Sequence, residues 1–243
     1  MQTYQADLHI HSCFSPCGAM QMTPQAIVET AIAKGIDLIA VTDHNTAAMA
    51  PFVAEAARAR GLAFLYGLEL QTLENVHLLA YFDDEAVCLE FSDEVYALLP
   101  DSTHDPYHLR DQRLVDASGR LIRVEKRFLV NGIGLSLMDA AQRVRDLGGL
   151  PVPAHIDRDF FSVRSELGAL PEGADFELVE VRDEVIPALC QDSAILKTSD
   201  AHDLEQIGRR VTYITFAEPT VEELRKAARC IDGRSLAANV RTD

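Results

Sequence analysis

The sequence predicts an α/β fold built on a largely parallel sheet, and three features predict it. Short apolar runs alternate with helix-periodic segments over most of the chain. Capping residues, glycines and prolines fall at the joints between them. The 243 residues are 48% hydrophobic and 25% charged, the balance of an ordinary soluble globular protein. A chain of that length buries roughly 70–75% of its extended surface and needs no covalent staple to fold.

The first strand is expected at residues 5–10. Thr23 followed by Pro24 marks a helix start, Ala26, Ile27, Ala31 and Ile32 give its apolar stripe, and Gly35 ends it. Residues 36–42 read as a buried strand, after which Asn45 or Thr46 caps a helix that stops before Gly61. Strands follow at 62–66 and 76–82, and a helix at 85–98. Residues 100–132 break the rhythm with Pro100, Pro106 and the turn Asp116-Ala117-Ser118-Gly119, so a hairpin of 113–115 against 121–124 is expected there. This stretch is too short to build its own core, and it reads as an insertion or lid over the mouth of a single domain spanning 1–243. Ser136 caps a helix running to Gly148, strands are expected at 150–154, 176–181, 194–198 and 211–215, and Thr220 with Glu223 forms a capping box for the last helix. Residues 233–243 read as a frayed tail.

The chemistry-bearing residues fall at the strand ends. Asp7, His9 and His11 are spaced two apart, so on a regular strand all three share one face. Asp200 and His202 repeat that spacing just after Thr198. Asp43 and His44 follow the second strand, Glu69 the third, His77 begins the fourth, and His155 ends the run 150–154. In a parallel barrel the C-terminal strand ends are where sites are built. Acids and imidazoles clustered in a barrel mouth are costly to desolvate without a cation. Imidazole with carboxylate suits Zn, Mn or Fe, and the number of donors exceeds what one tetrahedral ion takes, so more than one divalent metal is expected.

The motifs Asp7-Leu8-His9-Ile10-His11-Ser12, Thr42-Asp43-His44, Gly67-Leu68-Glu69 with His77, Pro153-Ala154-His155 and Ser199-Asp200-Ala201-His202 stand in an order that resembles the PHP family, the polymerase and histidinol phosphatase superfamily. The resemblance implies a distorted (β/α)7 TIM-like barrel and phosphate-ester hydrolysis at a trinuclear metal centre. It further implies that His9, His11, Glu69 and Asp200 hold one metal, and that Glu69 bridges to a second on His77 and His155. His44 and His202 would hold a third with Cys17, which stands where relatives often carry Asp or His and favours a soft metal such as Zn. Arg158, three residues beyond His155, would bind substrate phosphate. Asp7 and Asp43 would orient metal-bound imidazoles, and Asp200 or His202 would relay a proton. Phe160 and Phe161 offer rings to pack or to stack on a base, and His104 and His108 lie outside the motifs.

The expected activity is therefore hydrolysis of a small phosphorylated metabolite or nucleotide by a hydroxide bridging two of two or three divalent ions. The alternatives are an amidohydrolase-like hydrolase of C–N or ester bonds and a non-catalytic metal-binding regulatory module. With 22 basic against 38 acidic residues the formal charge is −16, which argues against stable binding to nucleic acid or to anionic membrane. No apolar run reaches the ~18 residues of a membrane span. No signal-peptide pattern opens the chain, and Cys13, Cys17, Cys88, Cys190 and Cys230 are odd in number without a CxxC pair, so a reducing cytoplasm is the expected compartment. No GxSxG, GxxxxGK[ST] or HExxH motif points to another chemistry.

Overall fold

A computed structural model of the chain describes residues 1–103 and 109–240. His104, Pro106 and His108 lie outside the described residues, as do residues 241–243. The elements are β1 (Gln2–Ile10), α1 (Pro24–Ala33), β2 (Leu38–Val41), α2 (Ala50–Arg60), β3 (Ala63–Gln71), β4 (His77–Phe82), α3 (Glu85–Leu98), β5 (Gln112–Val115), β6 (Leu121–Glu125), α4 (Leu137–Asp146) and β7 (Leu150–Pro153). A π-helical turn (Val163–Leu167) then leads to β8 (Leu178–Glu180), α5 (Pro187–Cys190), β9 (Ala194–Leu196), β10 (Arg210–Phe216), α6 (Val221–Ala228) and β11 (Ser235–Val240).

Seven strands form one curled sheet in the order β11-β10-β1-β2-β3-β4-β7. The parallel pair β8–β9 fills the space between its edges: Ile156 N donates to Glu180 O beyond β7, and Lys197 N donates to Thr212 Oγ1 of β10. The result is a curled half-barrel sheet, consistent with the barrel that the resemblance implies. It is mixed rather than largely parallel. Only β1–β2 and β2–β3 run parallel, while β3–β4, β4–β7, β1–β10 and β10–β11 run antiparallel. For β3–β4 the cause is local, because the connection at 72–76 is too short for the crossover a parallel pair requires.

The strands are buried on both faces. Leu8, Leu38, Ala40, Leu65, Leu79, Tyr81, Leu150 and Val152 fill the concave side, where the Tyr81 hydroxyl donates to Leu8 O. Ile39, Val41, Leu68, Leu78 and Phe82 face the layer of α1, α2 and α3. Gly67 must lack a side chain, since a Cβ there would lie 2.9 Å from Ala80 O and 3.2 Å from the Tyr81 ring.

Three sequence expectations change here. The tail is not frayed through 235–240, because β11 pairs antiparallel with residues 210–215 of β10. Neither Asn45 nor Thr46 caps α2, which starts at Ala50. Asn45 instead takes a left-handed φ of 52° and ties three segments together, accepting from Gln71 N and donating to Leu129 O and Asn131 O. At α6, Thr220 accepts from Glu223 N, but the Glu223 carboxylate is taken by Ala217 N and Arg234, so the box is half formed. The caps at Thr23 and Ser136 and the bounds of α3 are as the sequence predicts.

Candidate metal centre

A bulge in β1 sets the geometry of the site. Asp7 pairs with Ile39 and Ile10 with Val41, so β1 spends three steps where β2 spends two. Leu8 therefore belongs to the concave cluster while Ile10 belongs to the outer one, and His9 and His11 turn inward beyond the slip. Asp7 does not join them. Its oxygens accept from Ser199 N at 2.9 Å and Gly208 N at 2.8 Å, so it anchors the turn that carries Asp200 and His202 and hydrogen-bonds to no imidazole among the described residues.

Glu69, 1% exposed, stands at the centre. One of its oxygens lies 3.4 Å from His9 Nε2, 2.9 Å from His77 Nδ1 and 3.2 Å from His155 Nε2. The other lies 3.3 Å from His11 Nε2 and 3.0 Å from His44 Nδ1. Asp200 Oδ1 is 3.4 Å from both His9 Nε2 and His11 Nε2. Farther out, His11, Cys17, His44 and His202 bring donor atoms within 4.8 Å of one another. Residues from all five motifs thus converge, with His155 at φ 29° and Asp200 at φ 51°, left-handed conformations that cost a non-glycine residue free energy and mark functional sites.

The protonation pattern points to cations. His9 Nδ1–H donates to both oxygens of Glu180, at 3.0 and 3.2 Å. His11 Nδ1–H donates to Ser15 Oγ, whose own proton goes to Asp43 Oδ1. With both Nδ1 atoms committed as donors, the two Nε2 atoms face each other at 3.2 Å, lone pair to lone pair, amid the carboxylates of Glu69 and Asp200. Only a positive charge reconciles four such acceptors. Without metal that charge is a proton: burial opposes it, but hydrogen bonds to Asp200 and Glu69 raise His11 to about 9. Burial lowers His44 to about 3 and His202 to about 4, leaving both neutral, the form in which imidazole binds metal. Glu69 Oε2, His44 Nδ1, both His77 nitrogens and His155 Nδ1 are buried without a hydrogen-bond partner among the described residues. Divalent ions fit this donor set.

The sequence did not reveal Glu180. It is 2% exposed, holds His9, accepts from His155 N at 2.7 Å and from the Thr198 hydroxyl, and so links three of the motifs. Its signal was an acid near the end of the apolar run 176–181, the strand-end pattern shared by most of the other donors. Asp43 reaches His11 through Ser15 rather than directly, and also accepts from Ser12 N and Ser12 Oγ. Arg158 Nη1 lies 3.1 Å from Asp200 Oδ2 at the rim of the cluster. Phe161 stacks on His77, with centroids 5.0 Å apart. The segment at 109–132 borders the mouth, where Arg110 Nη1 donates to Cys17 O and Arg113 N to Cys13 O.

The PHP domain family model matches residues 7–121, just under half of the chain. The whole chain is 25% identical to YqxK of Bacillus subtilis (strain 168), an uncharacterised protein, of which the match covers 66%. The fold is similar to that of the lesion-specific endonuclease PfuEndoQ from Pyrococcus furiosus, with a TM-score of 0.73, 22% identity, 97% of this chain and 58% of that one. Endonuclease Q is also solved with a 27-mer duplex substrate carrying an abasic lesion at the active site, again at TM-score 0.73 and 22% identity, over 96% and 58% of the two chains. A two-domain protein from Bacteroides vulgatus with a predicted PHP-like metal-dependent phosphoesterase aligns at TM-score 0.58 and 18% identity, covering 99% of this chain and 65% of that one. The chain thus spans about three-fifths to two-thirds of the length of these relatives.

These likenesses overturn the expectation of a small-molecule substrate without nucleic-acid binding. A charge of −16 is a poor guide to substrate, because net charge averages over the whole surface, whereas metal ions held in a site can reverse the field there. Among the described residues, no helix is long and apolar enough to cross a membrane.

Proposed function

We propose that the chain is a metal-dependent hydrolase of phosphate esters that cleaves phosphodiester bonds in DNA. The observation that carries the chemistry is the convergence of five buried imidazoles on the Glu69 carboxylate. The likeness to endonuclease Q supports DNA as the substrate class.

His9, His11, Glu69 and Asp200 would hold one ion, Glu69 with His77 and His155 a second, and His44, His202 and Cys17 a third. Bound there, divalent ions lower the pKa of water and neutralise charge that develops on phosphate oxygens. The chain's own residues do the rest. Glu180 and the Ser15–Asp43 pair fix the Nδ1 tautomers of His9 and His11, which keeps both Nε2 lone pairs aimed inward. Arg158, whose Nη1 is engaged by Asp200, offers its remaining N–H groups to the phosphate. His202 donates from Nδ1 to Asp200 O, which leaves Nε2 free to ligate or to take a proton at the exposed side of the cluster.

The test is strand scission by the purified chain, at saturating Mn or Zn, on duplexes with and without one abasic position, beside a panel of amides. Cleavage that chelator and His9→Ala both abolish is expected. Amide turnover with all DNA left intact would instead favour a C–N hydrolase, a class that also appears on this fold in an amidohydrolase from Chromobacterium violaceum, at TM-score 0.58.

A further inference from the structure

Beside the donor cluster one aromatic side chain stands open to solvent. Phe160 is 58% exposed, whereas its neighbour Phe161 lies against His77 with ring planes 12° apart. The turn that carries them is well fixed. Arg158 N donates to His155 O, Ser162 Oγ to Arg158 O and Arg164 N to Ile156 O, while Phe161 sits at a left-handed φ of 57°. Phe161 is thus held to support a candidate ligand, and the turn leaves Phe160 outside the core.

A single exposed aromatic is ordinary. This one is placed by a cation. The Arg158 guanidinium carbon lies 5.6 Å from the Phe160 ring centroid, and Nη1 of the same group is 3.1 Å from Asp200 Oδ2. One guanidinium therefore joins the ring to the donor cluster. The hollow beside Phe160 is lined by Arg158, Arg164 and Arg182 but also by Asp159, Asp183 and Glu184, so bulk positive charge does not recommend it. A flat apolar face next to a phosphate-binding group does, because that pair matches a base and the phosphate attached to its nucleoside.

Resting on the DNA-cleaving reading above, we propose that Phe160 is the stacking platform for the base next to the scissile phosphate, and that the chain selects DNA whose base at that point is already unstacked. Reaching a ring at the rim requires the base to leave the helix, which costs least in single strands, gaps and damaged sites. Intact duplex is accordingly the poorer substrate.

The sequence contains no tryptophan, so Phe160→Trp installs the sole indole at the proposed contact. The full chain carrying that variant is titrated with a single-stranded phosphorothioate oligonucleotide and with the same backbone bearing no bases, while end-label anisotropy reports binding independently. Indole quenching by the base-bearing strand alone is expected. Phe160→Ala should raise KM on gapped DNA about tenfold, in line with the loss of one stacked base. Its kcat should stay within about twofold, and Phe160→Tyr should restore KM. If anisotropy shows binding but both strands quench alike or neither does, or if Phe160→Ala leaves KM unchanged, the stacking role is wrong while DNA cleavage stands. If no strand binds or is cut, the DNA reading itself fails and this inference goes with it.

Discussion

Two donor groups share His11 and His44 and differ in nearly every physical respect. The inner group gathers on Glu69 and Asp200, with His9, His77 and His155 buried at 0%, 4% and 1% exposure, and Glu180 braces it from behind. The outer group joins His11 and His44 to Cys17 and His202, which stand on loops, and the His202 side chain is 31% exposed. The inner group contains two carboxylates that burial alone would penalise; the outer has none. Left without cations, the inner group must recruit protons, one of them on the shared His11, whereas His44, His202 and the Cys17 thiol stay neutral. Occupancy of the inner positions is therefore a condition of a quiet electrostatic interior. On the proposed reading, occupancy of the outer one would depend on metal concentration and softness.

The largest effect that would break this contrast comes from Glu69→Gln. Removing the charge shared by five imidazoles should strip at least one metal equivalent, read by elemental analysis, and lower turnover more than about a hundredfold. Full retention of metal would show that Glu69 is not the shared ligand. Glu180→Gln should act more gently on the same group. His9 loses its bidentate acceptor, and inner affinity measured by competition with a chelating indicator should weaken roughly 10–100-fold. An equal loss at the outer position would mean that Glu180 supports the fold at large rather than His9.

The inner group was legible because its ligands lie at or just beyond strand ends, with His77 at the start of β4, a property local in the sequence. Its supports were less so. Glu180 and Ser15 take their meaning from partners at His9 and His11, 171 and 4 residues away, and only the folded chain brings the first pair together. Asp7 misled because two-residue alternation assumes a regular strand, and the bulge before Ile10 reverses which residues face inward. The strand at β11 lacks an alternating apolar pattern; its pairing partner β10 supplies the order that composition does not. The antiparallel turn between β3 and β4 was there to be read in the five residues from Thr72 to Val76.

Graded chelation sharpens the comparison further. As free metal is withdrawn, the solvent-facing outer ion should leave first with a small fall in Tm. The inner ions should follow with a larger one, since a ligand held at 100 times its Kd contributes about 2.7 kcal/mol to the folded state. Loss of all metal in one step would merge the two groups into one.

The smallest effect is expected at Cys17, and it is the most discriminating. A thiolate ligand to Co(II) gives a sulfur-to-metal charge-transfer absorption that oxygen and nitrogen donors lack. The Co-substituted chain should show it, and Cys17→Ser should lose that band and at most one metal equivalent, with turnover down less than about tenfold. Cys13, whose thiol donates to Arg113 O, and the buried Cys88 and Cys190 are not grouped with metal-binding side chains among the described residues, so they should leave the spectrum unchanged. Cys17→Asp should keep the third ion and move its preference from Zn towards Mn, because a carboxylate is the harder donor. If the wild-type chain binds three Co ions with no sulfur band, the outer ion sits on His11, His44 and His202 alone. The softness that separates the two groups would then belong to the imidazoles and not to the thiol.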